Sequence, residues 1–338
     1  MDNLTHTLTA VAISQTGLNR KTRFATLTLI LAANAPDIDI ISGFKSSITY
    51  LHYHRGISHS LVGITSLGII LWGLIYWAGK MVRPKPGLPL NPRWLLLAAF
   101  LGTGSHLLLD FTNAYGVRPF LPFSGRWYAW DIMAIIDPLL LAILVLGLAV
   151  PWLLRLVSEE VGARKPRLAP GAVFCLGAMV TLWGIRDFAH RRALNILDSH
   201  IYSSEVPQRF SALPVAVNPF SWIGVVETTT SFHAVGVNAL DANGVPEEMG
   251  TFEKPQPSPA LTAAMQTPAG KIFLDFARYP WAQADENEEG YQVSLRDLRF
   301  FHPSTPVRGF TLEVELDKNL AVRSAIFSFA APQRPGRE

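Results

Sequence analysis

Two residues four apart, His106 and Asp110, share a helix face one turn from each other, a spacing that suits two ligands on one cation or a helix-face hydrogen bond. Upstream, Pro36-Asp37-Ile38-Asp39 sets two carboxylates where the proline restrains its predecessor and can break a helix, either as ligands or as an acidic helix end among lipid headgroups. Between these lies His52-Tyr53-His54-Arg55-Gly56-Ile57-Ser58-His59-Ser60, at the mouth of the apolar run Leu61 to Ala78. Ionisable groups at a membrane boundary are costly and mark function. With His6, the residues Asp37, Asp39, His59, His106 and Asp110 form a nitrogen and oxygen ligand set without thiolate. Such a set fits one or two divalent cations, zinc or manganese first. A pair of ions would hold a hydroxide against a phosphoester; a carboxylate or His54 would handle the proton, and Arg55 would either clamp an anionic oxygen or anchor to a lipid headgroup. The His-Glu-x-x-His, phosphate-loop, nucleophile-elbow and dinucleotide patterns are absent.

The elements that must position these residues read as membrane helices. Charged residues make up 16% of the 338 positions and hydrophobic ones 49%, and mean hydropathy is +0.24. A soluble chain carries about 25% charge. Candidate spans are Phe24 to Ile41, Leu61 to Ala78, Trp94 to Phe111, Ile132 to Leu154 and Pro170 to Ile185, with Leu4 to Leu18 a shorter, half-buried helix. The net charge of +3 sits in loops between apolar runs, so topology explains it and nucleic acid binding does not. Arg20, Lys21, Arg23, Lys80, Arg83, Lys85, Arg93, Arg155, Arg164, Lys165 and Arg167 fall on one side, against Lys45, Arg55, Arg118 and Arg126 on the other. The richer side is expected to be cytoplasmic, which sends Asp37 and Asp39, His54 and His59, His106 and Asp110, and Asp131 to the opposite, outer face. Arg186, Arg191 and Arg192 weigh against that orientation. The lone Cys175 lies in an apolar run and reads as core filler. The N-terminus lacks the basic and apolar regions of a cleaved signal and is expected to remain.

From Phe188 the pattern changes. Ala189 to Tyr202 reads as an amphipathic helix, followed by strand-like runs at Trp222 to Thr229, Phe232 to Ala239, Lys271 to Phe276, Tyr291 to Phe301, Phe310 to Leu316 and Val322 to Phe329, with turns at 241–244 and 316–319. The expected architecture is an all-α polytopic membrane bundle of five to six helices over residues 1–187. A soluble α+β or mostly β domain over 188–338, on the periplasmic side, completes it. His233 and His302 receive no role.

Met1-Asp2-Asn3-Leu4-Thr5-His6, Pro36-Asp37-Ile38-Asp39, His54-Arg55-Gly56-Ile57-Ser58-His59-Ser60 and His106-Leu107-Leu108-Leu109-Asp110 together resemble the YdjM-like family of bacterial inner-membrane proteins, described as predicted metal-dependent hydrolases. Phe111-Thr112-Asn113-Ala114-Tyr115-Gly116 and Trp127-Tyr128-Ala129-Trp130-Asp131 are similar to the same family. The likeness covers about the first 140 residues, and Asn218-Pro219-Phe220-Ser221-Trp222 is similar to longer members. It implies a multi-spanning inner-membrane protein with a metal site built from those His and Asp residues, and leaves the substrate open. Two functions follow as expectations: a hydrolase acting at the outer face on a membrane lipid or lipid-linked phosphoester, or a non-enzymatic envelope protein whose structural metal supports a partner-binding C-terminal domain. Metal or proton transport would need carboxylates near mid-bilayer on several spans, whereas these gather at one end.

Overall fold

A computed structural model describes residues 1–82, 87–160, 169–241, 243–301 and 310–329. Arg83, Lys85, Arg164, Lys165 and Arg167 of the charge count, Ala242 of the proposed turn, and His302 lie outside the described residues. Two compact units emerge. One comprises Met1–Asp39, Arg55–Phe188 and Val215–Pro219; the other comprises Ile40–His54, Ala189–Pro214 and Phe220–Glu338.

The first unit is helical. Helix α1 (Asn3–Gln15) starts at Asp2, whose carboxylate accepts from Thr5 N at 2.9 Å, and it buries Thr5, His6, Thr9 and Ser14 alongside Ala10 and Ala12. Thirteen residues are too few to cross a bilayer, in keeping with a half-buried helix. Helix α2 (Ala25–Asn34) ends before Pro36, and the chain continues as a 3-10 segment, Pro36–Phe44, bent by 46°. The proline thus divides the expected Phe24 to Ile41 span and turns Asp37 and Asp39 out of regular helix. The short helix α3 (Ser47–Tyr53), not foreseen from sequence, belongs to the second unit.

Among the described residues, four helices are long and apolar enough to cross a membrane: α4 (Leu61–Met81), α5 (Pro92–Phe111), α6 (Pro138–Glu160, apolar through Ser158) and α7 (Ala169–Ser199); the bent pair would make a fifth crossing. Ser60 caps α4 by accepting from Gly63 N at 3.0 Å, and Asn91 caps α5 ahead of Pro92. Helix α6 begins six residues later than the hydropathy run at Ile132, because Asp137 accepts from Leu140 N and Pro138 fixes the first turn. Against expectation, the last span and the helix expected at Ala189 to Tyr202 are one helix, α7. Its C-terminal half carries Arg186, Asp187, Arg191 and Arg192, and it is this polarity, not a break, that the hydropathy drop reports.

Close approach of α2 and α5 depends on Gly102. A Cβ there would lie 2.6 Å from Ala32 Cβ and 2.8 Å from Leu29 O, so only glycine lets the two backbones meet at this height. One turn further along α5 stands His106.

The second unit holds two four-stranded antiparallel sheets, each in sequential order. The first is β1 (Arg209–Pro214), β2 (Ser221–Glu227), β3 (Ser231–Asn238) and β4 (Glu247–Glu253). Its core joins Trp222, Val226, Val235 and Val237 to Ala193 and Leu197 at the end of α7. Next come α8 (Pro259–Gln266) and α9 (Pro268–Phe276), then the second sheet of β5 (Pro280–Asn287), β6 (Gly290–Asp297), β7 (Thr311–Asp317) and β8 (Val322–Ser328). The expected strand at Lys271 to Phe276 is therefore helix. Thr267 caps it by accepting from Gly270 N, Pro268 occupies its first turn, and Ala269, Phe273 and Phe276 are buried at helical spacing. Strands β1, β4 and β5 are additional to those foreseen.

Candidate metal centre

Three segments of the helical unit deliver four donors to one point. The 3-10 segment after α2 brings Asp37, the 3-10 turn Ile57–His59 brings His59, and the last turn of α5 brings His106 and Asp110. The Nε2 atoms of His59 and His106 lie 3.0 Å apart. Asp110 Oδ2 stands 3.3 Å from the first and 3.5 Å from the second; Asp37 Oδ1 stands 3.4 and 3.6 Å from them. Bonds of about 2.0–2.1 Å from zinc to nitrogen and oxygen require tetrahedral donors about 3.3–3.4 Å apart. The five distances scatter around that value, and the four ligand atoms all lie within 4.8 Å of one another.

Hydrogen bonds aim the imidazoles. His106 Nδ1 lies 2.7 Å from Ala33 O, which can only accept, so the proton sits on Nδ1 and the Nε2 lone pair points at the cluster. His59 Nδ1 faces Ser58 Oγ at 3.0 Å and Asp39 Oδ2 at 3.3 Å, and Ser58 Oγ itself donates to Asp39 Oδ2 at 3.2 Å. Asp39 thus stands behind His59, the carboxylate–histidine pairing that orients metal-binding imidazoles. Burial lowers the proton affinity of His59, but its contacts with Asp110, Asp37 and Asp39 outweigh this and raise its pKa to about 10.

His6 lies one layer out. Its ring stacks on His106 with centroids 3.9 Å apart, its Nε2 is 3.5 Å from Asp110 Oδ1, and neither ring nitrogen makes a well-formed hydrogen bond although the side chain is fully buried. Burial, with the neighbouring His106, lowers its pKa to about 4. The Met1 α-amino group also contacts Asp110 Oδ1, and burial lowers its pKa.

Arg55 is 3% exposed and points inward. Its Nη2 donates to Asp110 Oδ1 at 3.0 Å, and Nη1 donates to Asn113 Oδ1 and Gly116 O at 2.9 and 3.1 Å. These donors are directed at protein acceptors rather than at open space where a substrate oxygen would lie. His54 belongs to the second unit, where its ring stacks on Tyr50 at 4.5 Å. Asn113 and Tyr115, to which no role was given from sequence, line this inner layer. The Arg55 guanidinium lies 4.7 Å over the Tyr115 ring. Only their place beside His106 and Asp110 in one conspicuous stretch hinted at them.

A helical unit with four candidate spans among the described residues, and a His/Asp cluster that could hold a metal ion, define a polytopic membrane protein with a possible metal site. The model of the YdjM inner membrane protein family matches residues 1–192, and the chain belongs to that family. Residues 259–331 match the YfhP C-terminal alpha/beta plait domain, the part that folds as α8, α9 and the second sheet. Over 331 residues the chain is 25% identical to a Bacillus subtilis (strain 168) protein described as "Uncharacterized protein YfhP", with 94% of this chain and 89% of that protein covered. No solved structure matches.

Proposed function

We propose that this is a membrane-embedded, metal-dependent hydrolase whose centre is Asp37, His59, His106 and Asp110. The observation that carries the reading is a difference among the four. Side-chain exposure is 0%, 0% and 1% for His59, His106 and Asp110 but 17% for Asp37. Three donors are sealed and the fourth borders open space, as suits a centre that trades one ligand position for water or substrate. A divalent ion bound there, zinc or manganese, supplies Lewis acidity toward an ester oxygen and acidifies water. The chain's own residues hold the donors: Ala33 O orients His106, Asp39 and Ser58 orient His59, and Arg55 holds Asp110. A lipid or lipid-linked phosphoester is the substrate class we favour. Ile38, Ile57 and Leu61, beside the ligands in the chain, are exposed apolar side chains suited to lipid tails. The charge asymmetry of the loops supports an outer-face site and a periplasmic C-terminal domain in the inner membrane.

The donor count favours a second reading. Four protein donors at tetrahedral spacing also suit a closed, structural ion, in a non-enzymatic envelope protein. Assaying zinc- and manganese-loaded protein against phosphoester and acyl ester panels separates the two. The hydrolase reading expects turnover that His106→Ala and Asp110→Ala abolish; metal binding without turnover on either panel favours the structural ion.

A further inference from the structure

Arg55 combines features that a headgroup anchor or a substrate clamp would not need. It is buried, it holds a left-handed backbone conformation (φ 53°), and it reaches two parts of the centre at once. Its backbone N–H donates to Asp39 Oδ2 at 2.9 Å, fixing the carboxylate behind His59. Its guanidinium shares Asp110 Oδ1 with the Met1 α-amino group, and the two leave Oδ2 to face the imidazoles. The remaining terminal nitrogen is fixed by Asn113 and Gly116, and Tyr115 lies beneath the plane.

A carboxylate can offer a cation one oxygen or two. Ions such as manganese and magnesium gather six oxygen-rich ligands and take a second oxygen readily, whereas zinc settles for four. We propose that Arg55 is a positioning residue that sets the metal preference of the centre: by fixing the Asp110 carboxylate through Oδ1, beside the Met1 α-amino group, it would make Asp110 a one-oxygen ligand and bias the site toward four-coordinate ions. This inference rests on the metal-centre reading above. A lysine cannot reproduce it, since a single ammonium cannot grip Oδ1 and span Asn113 and Gly116 in one plane.

The test is competitive titration of the full chain in detergent micelles with Zn²⁺ and Mn²⁺, together with the visible spectrum of the Co²⁺ form. Wild type is expected to show the intense bands of four-coordinate cobalt and to prefer zinc. Arg55→Gln is expected to lose those bands toward the weak spectrum of six-coordinate cobalt and to lower the zinc-over-manganese preference about 10–100-fold, the usual size of an outer-shell effect. Arg55→Lys should fall between. Should the Arg55 variants not fold, Asn113→Ala loosens the guanidinium without removing it and should shift both readouts in the same direction. Folded variants with unchanged cobalt bands and unchanged preference would overturn the Arg55 assignment alone; a wild-type chain that binds no cation overturns it together with the metal centre.

Discussion

His59 and His106 are 47 positions apart in the chain yet meet Nε2 to Nε2 at 3.0 Å, with both Nδ1 atoms committed to other partners. Two facing imidazole lone pairs repel at that distance unless a proton or a cation lies between them. The carboxylates of Asp37 and Asp110 beside the pair select for positive charge, so one local geometry suits either occupant.

Metal uptake is therefore expected to expel a proton. The His59 pKa is raised from 6.5 to about 10 in the cation-free centre, so below that pH the imidazole is protonated and the metal must displace its proton. The sign follows: affinity falls as pH drops below about 10, by roughly tenfold per unit for each proton released. Calorimetric titration at pH 8 in two buffers of different ionisation enthalpy should report about one proton released per ion, and buffer-independent heats would contradict it.

Asp39 acts through His59. Asp39→Asn keeps size and shape but weakens the pull on Nδ1–H, and metal affinity should fall about 10–100-fold with the fold intact. Equal affinity in competition with a chelator would show that Asp39 only caps the turn through Arg55 N and Ser58.

Gly102 fixes the height at which α5 meets α2, and so places His106 against Ala33 O. Gly102→Val is expected to cost about 1–3 kcal/mol through overpacking. It should also weaken metal binding, because the helices must part where Ala32 and Leu29 now touch the glycine. Thermal unfolding with and without zinc checks both parts; an unchanged midpoint would refute the close-approach argument.

The site's chemistry was legible in sequence because ligand types are scarce in an apolar chain, and because Asp37, His59, His106 and Asp110 stand at the ends of hydrophobic runs. What separates those four from His6 and Asp39 was not legible. All six residue types can ligate, and ring stacking or a contact from behind an imidazole depends on packing across tens of residues. The direction of the Arg55 side chain was not legible for a related reason: its position beside two histidines does not say which way a residue of positive φ turns. In the second unit, the β character was readable from alternating apolar runs. Lys271 to Phe276 read as strand because its bulky residues obscured the Thr267-Pro268 helix start.

Asp137 and Arg186 form a buried ion pair at 2.8 Å, both side chains fully enclosed. Removing one partner strands a charge, so Asp137→Ala should destabilise the helical unit by about 3–5 kcal/mol, and adding Arg186→Met should recover part of the loss. Chemical denaturation in detergent measures both. Equal stability of the single variant and the wild type would show that Ile132 O and Val215 O suffice for the arginine.

X-ray absorption at the zinc edge of the metal-loaded protein tests the central claim most directly. One ion per chain with four nitrogen or oxygen neighbours at about 2.0 Å is predicted. The outer-shell scattering of two imidazoles should be present and should drop to one in His106→Ala. Stoichiometric zinc without imidazole scattering, or no zinc retained, would contradict a centre built from Asp37, His59, His106 and Asp110.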